Sequence, residues 1–139
     1  MIEKSIAMAL KAHKGQLDLA GNPYILHPLR VAFKFTGDEV MYAAAVLHDV
    51  VEDSSITVAN IRKAFNPRIA EIVDSLTRRD GEDYLTEFIP RCKLNQSAAV
   101  IKIADIEDNL NPQRTLAPTK ENLSRVKKYY QALEILRAY

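Results

Sequence analysis

Tyr42-Ala43-Ala44-Ala45-Val46-Leu47-His48-Asp49-Val50-Val51-Glu52-Asp53 is the stretch on which the fold turns. Its first six residues are apolar on every side, the signature of a central helix enclosed by other helices. Its last six hold one imidazole and three carboxylates. At about 100° per residue, His48 and Glu52 lie one turn apart, as do Asp49 and Asp53. A helix running on to Asp53 therefore presents all four on one arc, with Val50 and Val51 turned away. Three carboxylates at a helix C-terminus oppose the macrodipole, each by a few tenths to about 1 kcal/mol. Burying them unpaired costs considerably more. A divalent cation in a cleft answers both penalties.

Working outward, Asp38 can cap this helix and Ser54-Ser55 breaks it, so the spacing predicts a helix over 39–53. Ile2, Ile6, Ala9, Leu10 and His13 recur at helical spacing ahead of Gly15, which predicts a first helix over about 2–14. After the turn residues Gly21-Asn22-Pro23, a second helix carries Ile25, Leu29, Val31, Ala32 and Phe35 and ends by Gly37. His27-Pro28 sit in its first turn, where a proline is tolerated. A short helix over 57–65 follows, then one opened by Asn66-Pro67 that carries Ile69, Ile72, Val73 and Leu76. Residues 84–91 read as a weak helix stopped or bent by Pro90. Residues 97–110 read as a strong helix ended by Asn111-Pro112. Residues 120–139 close the chain with Leu123, Val126, Tyr130, Leu133 and Leu136 on one face. No run alternates with period two for more than a few residues. The expected fold is all-α: a compact bundle of about eight helices forming one domain over 1–139.

The 139 residues suffice for one buried core, and 47% hydrophobic against 27% charged residues is a globular balance. Nineteen basic and eighteen acidic side chains leave a net charge of +1, so no global field favours DNA, RNA or a membrane surface. Any anionic partner must be held locally. One cysteine, Cys92, cannot form an internal disulfide and reads as a structural thiol. No stretch approaches the ~18 apolar residues of a membrane span. Together these features read as a cytoplasmic protein. The stripe on the closing helix suits burial against the chain's own bundle or against a second subunit, and both stay open.

Two more polar residues interrupt apolar surroundings. His27 follows Tyr24-Ile25-Leu26, and Asp105 follows Ala98-Ala99-Val100-Ile101-Lys102-Ile103-Ala104. Each alone reads as a core residue with a partner, and a His-Asp pair at a helix end reads as a cap or a surface feature. One His, one His-Asp pair and one Asp from three helices instead supply the mixed nitrogen and oxygen set of a partly open transition-metal site. His13 reads as a support for the Gly15-Gln16 turn. Lys102, Arg78, Arg79 and Arg91 read as solvated charges on mixed faces, and Tyr129-Tyr130 as packing residues.

Ala12-His13-Lys14-Gly15-Gln16, the run Gly21-Asn22-Pro23-Tyr24-Ile25-Leu26-His27-Pro28, the 48–53 block, Ser75-Leu76-Thr77 and Lys102-Ile103-Ala104-Asp105 with Asn109 form an ordered set. In that set the chain resembles the HD-domain metal phosphohydrolases, specifically the RelA/SpoT-type domain that removes the 3′-pyrophosphate of guanosine tetraphosphate (ppGpp). The resemblance covers about residues 9 to 115. It implies His27, His48, Asp49 and Asp105 as metal ligands, with manganese the usual ion. It further implies Glu52 and Asp53 as the acidic pair that activates water, and Asn109 as a nucleotide contact. A small-molecule nucleotide is the implied substrate. Five positions depart from the pattern: Asp18 and Leu19 stand where the family usually has basic residues, and Ile106, Asp108 and Asn111 replace Arg, His and Arg. These departures leave two alternatives beside ppGpp hydrolysis. One is hydrolysis of another nucleotide or phosphate ester; the other is a catalytically weak, metal-bound nucleotide sensor.

Overall fold

The computed structural model describes residues 1–111, 114 and 118–138. Among these residues there is no β-strand, only an isolated bridge between Leu17 and Pro23 in the loop that leads to His27. The α-helices are α1 (Ile2–Ala12), α2 (Leu26–Ala32), α3 (Glu39–Val46), α4 (Val50–Asp53), α5 (Val58–Ala64) and α6 (Pro67–Leu76). They continue with α7 (Ile89–Lys93), α8 (Gln96–Asn109) and α9 (Lys120–Arg137). The expected all-α bundle is what forms.

Side-chain caps set most of the helix starts. Asp38 accepts the Met41 N–H at 3.1 Å, Asn66 caps α6 ahead of Pro67, and Thr57 and Asn60 form a reciprocal capping box at α5. Asn95 and Thr119 do the same for α8 and α9. Each satisfies an amide that a helix start would otherwise leave without a partner.

α3 is the enclosed helix that its sequence requires. Tyr42 to Val46 are all buried, and the helix packs against α1, α2, α6 and α8. A first core cluster gathers side chains from α1, α2, α3, α5 and α6, with Cys92 of α7 and Ala98, Ile101 and Ala104 of α8. A second joins Phe88, Ile89, Ala99 and Ile106 to Ala132, Leu133 and Leu136 of α9. Helices α7 and α8 contribute to both. Cys92 is fully buried, and burial pushes its thiol up to about 11, as suits a structural role.

The expected continuous helix over 39–53 does not form. It stops at Val46, turns through Leu47, His48 and Asp49, and resumes as α4. At the turn the Nδ1–H of His48 lies 2.6 Å from the Ala45 carbonyl oxygen, the acceptor that an unbroken helix would offer to the Asp49 amide. His48 and Val50 make i→i−3 bonds instead, at 3.3 and 3.1 Å. The four polar side chains of 48–53 consequently do not share the single helical arc that the spacing predicts.

Two other elements differ in shape. The second helix tightens into a 3-10 turn over Phe33–Phe35. Residues 84–91 bend rather than stop: Tyr84–Phe88 forms a π turn, and Pro90 falls in the first turn of α7, where its missing N–H costs nothing. The expected helix ends at Pro112 and Tyr139 lie outside the described residues.

Candidate metal centre

His27, in the first turn of α2, and His48, in the turn after α3, are each 1% exposed and meet edge to face with ring centroids 5.3 Å apart. Asp49 follows His48, and α8 brings Asp105, which is 4% exposed. The Nε2 of His27 lies 2.8 Å from Asp105 Oδ1 and 3.8 Å from Asp49 Oδ2. The Nε2 of His48 lies 3.0 Å from Asp49 Oδ2 and 3.3 Å from Asp105 Oδ1. One ligand atom from each residue falls within 4.8 Å of every other. Atoms each about 2.1 Å from a common ion stand roughly 3 to 4.2 Å apart, so this spacing suits one divalent cation.

The tautomers fit as well. His48 spends its Nδ1–H on the Ala45 carbonyl, so Nε2, facing the carboxylates, is the nitrogen left to ligate an ion. That buried Nε2 has no hydrogen-bond partner of proper angle. His27 is held in the same sense, its Nδ1 lying 2.6 Å from Asp108 Oδ2 and its Nε2 facing the cluster. A carboxylate behind a ligand imidazole orients the ring and raises its basicity. Arg30 forks onto Asp108 at 2.9 and 3.2 Å, and Arg114 reaches the same carboxylate at 3.1 Å.

Electrostatics report one concentrated negative site. Burial works against the imidazolium of His48, yet the carboxylates of Asp49 and Asp105 hold its pKa well above the ordinary value. His27 is raised in the same way by Asp105 and Asp108. Burial also works against the ionised carboxylates, but the charge of His48 holds Asp49 below its usual range, and Lys102 with His48 does so for Asp105. Two carboxylates this close, answered by cationic groups, are the electrostatic setting that a divalent ion satisfies.

Lys102 corrects its expectation as a solvated charge. Its side chain is 12% exposed, and Nζ sits 2.8 Å from Asp105 Oδ2. The same ammonium lies 5.2 Å from the Phe88 ring centroid and 5.8 Å from that of Tyr84, both carried by the π turn over Tyr84–Phe88. Arg91 is likewise no free surface charge. It forks onto Glu82 at 2.7 and 2.9 Å and caps the Thr77 carbonyl at 2.8 Å.

Glu52 and Asp53 stand on α4, within a turn of Asp49. Glu52 accepts the backbone N–H of Arg78, and burial raises its carboxyl above the ordinary value. Burial also raises Asp53, whose Oδ2 accepts from Gln16 Nε2 at 3.1 Å. His13 supports that glutamine, its Nδ1 lying 2.8 Å from Gln16 Oε1. Glu52 borders a cleft of about 850 Å³ with Thr77, Arg78 and Arg79.

Asn109 donates from Nδ2 to Asp105 Oδ1 at 3.3 Å and accepts from Arg114 at 2.6 Å. It lines a second cleft, of about 630 Å³, with Leu17, Asp18, Tyr24, Tyr129 and Tyr130. Of the two tyrosines of α9, Tyr129 also packs against the second core cluster as expected, whereas Tyr130 is 57% exposed. Tyr24, whose hydroxyl donates to Asp49 Oδ2 at 2.6 Å, carried no role in the sequence reading, and neither did Asp108 or Arg114. Asp108 had a signal: it lies three residues after Asp105, on the same side of one helix.

Comparison with known proteins follows the same lines. A family model described as "HD domain" matches residues 5–110. The chain is 30% identical to a probable GTP pyrophosphokinase of Mycobacterium leprae, over 98% of this chain and 18% of that protein. It is 32% identical to a guanosine-3′,5′-bis(diphosphate) 3′-pyrophosphohydrolase of Haemophilus influenzae, over 81% of this chain and 19% of that protein. The chain thus spans less than a fifth of the length of these relatives. A solved structure described as a metazoan ortholog of SpoT that hydrolyzes ppGpp superposes with a TM-score of 0.79 at 26% identity, covering 99% of this chain and 85% of that one. No helix among the described residues is long and apolar enough to cross a membrane.

Proposed function

This chain belongs to the HD-domain family, and we propose on that footing that it is a metal-dependent phosphohydrolase that removes the 3′-pyrophosphate of ppGpp or of a closely related nucleotide. The observation that carries the reading is the convergence of His27, His48, Asp49 and Asp105, with both imidazoles turned so that Nε2 faces two carboxylates. These four residues would hold the ion, and manganese suits their mixed nitrogen and oxygen donors. When bound, such an ion polarises a phosphoryl oxygen and lowers the pKa of a coordinated water.

The chain's own residues supply the rest. Glu52 and Asp53, both raised by burial, orient the attacking water and accept its proton at a carboxylate oxygen. Gln16 fixes the Asp53 carboxylate and the Arg78 amide fixes that of Glu52. Asn109 places the nucleotide beside the cluster. Lys102 compensates Asp105, so that charge developing on the phosphoryl group meets a balanced site. Residues 1–139 act in this reading as a single domain, and the relatives named as ppGpp hydrolases support the substrate class.

The test is purified protein with Mn²⁺ and ppGpp, followed by pyrophosphate release. Release that stops on chelation and returns with Mn²⁺ is the expected result. No turnover of ppGpp or of any nucleotide in a panel rejects the reading.

A further inference from the structure

The 630 Å³ cleft is wired to the metal cluster through two of its lining residues: Tyr24 donates to Asp49, and Asn109 donates to Asp105. The cleft thus lies next to the point where a phosphoryl group would meet the cluster, and its volume falls within the range of small-molecule sites. The walls are apolar and open. Leu17 and Leu19 from the loop after α1 are 61% and 68% exposed, and Leu123 and Tyr130 from α9 are 59% and 57% exposed. Such faces suit a planar base and a sugar.

Of the three charged side chains among the described lining residues, Asp18 and Arg114 face each other. Asp18 Oδ1 accepts the amides of Ala20 and Asn22 at 3.0 and 2.9 Å, and Oδ2 faces Arg114 Nη2 at 3.8 Å. The Nη1 of Arg114 donates to Asp108 and Asn109. This guanidinium is shared between two carboxylates, and its side chain is only 14% exposed. Arg125 is the other cation among the described lining residues, and it stands on the exposed face of α9 with Nη1 on Asn122.

We propose that this cleft takes the uncharged nucleoside end of the substrate and does not grip a second anionic group. A nucleotide phosphorylated on one side only, with a free 5′-hydroxyl, is bound at least as well as one that also carries a 5′-diphosphate. Asp18 is the specificity-determining residue, because it neutralises Arg114 and repels an incoming anion. The inference rests on the nucleotide-hydrolase reading and narrows which nucleotides that reading covers.

Calorimetric titration of the intact, metal-free protein with guanosine and with guanosine 5′-diphosphate tests it. The metal-free protein keeps this measurement independent of turnover. The wild type binds the two within threefold of each other. D18N keeps the carbonyl oxygen that caps Ala20 and Asn22 but removes one of the two carboxylates that share Arg114, together with the negative charge facing the cleft, so it tightens the diphosphate by about tenfold and leaves guanosine unchanged. Three results overturn the proposal: a wild-type preference for the diphosphate above threefold, a D18N gain below threefold, or no measurable binding of guanosine. Any of them leaves metal-dependent hydrolysis standing. Conversely, absence of turnover for every nucleotide refutes the hydrolase reading while the binding ratios remain a separate result.

Discussion

The two sides of the site are built to opposite rules. Around His27 and His48 each polar side chain leans on the next: Asp108 on His27, Arg30 on Asp108, Lys102 on Asp105, Tyr24 on Asp49. Beside them the cleft under the first half of α9 is walled by exposed leucines and a tyrosine that touch no such network. Removing one member of the interlocked side strands a buried partner, whereas a change at the exposed leucines or Tyr130 of the cleft alters only what can lie against it. Chemistry is thus held rigidly while recognition is left adjustable.

The sharpest way to break this contrast is Asp49→Ala. It removes one of the four proposed ligands and leaves the Tyr24 hydroxyl without its acceptor, so metal uptake by elemental analysis and pyrophosphate release should both vanish. Retained turnover would show that the cluster is not the reaction centre. Glu52→Ala separates roles within the same side: metal content is kept while kcat falls by about 10² to 10⁴, the range for loss of a general base. Asp108→Asn keeps the shape behind His27 but weakens its orientation, and a loss of about 10- to 100-fold in metal affinity is expected by competition with a chelating dye. An unchanged affinity would place Asp108 with the adjustable side.

Leu123→Asp should raise KM for nucleotides several-fold and leave metal affinity untouched, because this residue stands well exposed in the cleft wall. A change in metal affinity would dissolve the distinction. The smallest effect belongs to neither side. The guanidinium of Arg91 holds the Glu82 carboxyl down to about 2, so that pair contributes stability above the ordinary carboxylate range and loses it as pH falls toward 2. The gap in melting temperature between wild type and Glu82→Gln should therefore be full near pH 6 and close on acidification. A gap independent of pH would mean that the ion pair adds nothing to its neutral counterpart.

The interlocked side was largely legible in the sequence, since His27, His48, Asp49 and Asp105 each interrupt a run that otherwise demands burial. A polar residue in such a run needs a partner, and the partners turned out to be one another. The break after Val46 was not legible, because it depends on a side chain competing for the Ala45 carbonyl, which helical periodicity does not encode. The burial of Lys102 escaped for a related reason: the rings of Tyr84 and Phe88 that shelter it arrive from another part of the chain. The stripe on α9 was visible, but only its second half, with Leu133 and Leu136, is buried. Periodicity marks a face and not what covers it.

Because α8 draws Ala98, Ile101 and Ala104 into one cluster and Ala99 and Ile106 into the other, it ties the earlier helices to the closing one. Asp105 sits on that tie, facing His27 and His48 from the earlier helices. Anything that draws those three side chains together also clasps the C-terminal third onto the rest, so occupancy of the site should be readable far from it, as slower amide exchange along α9.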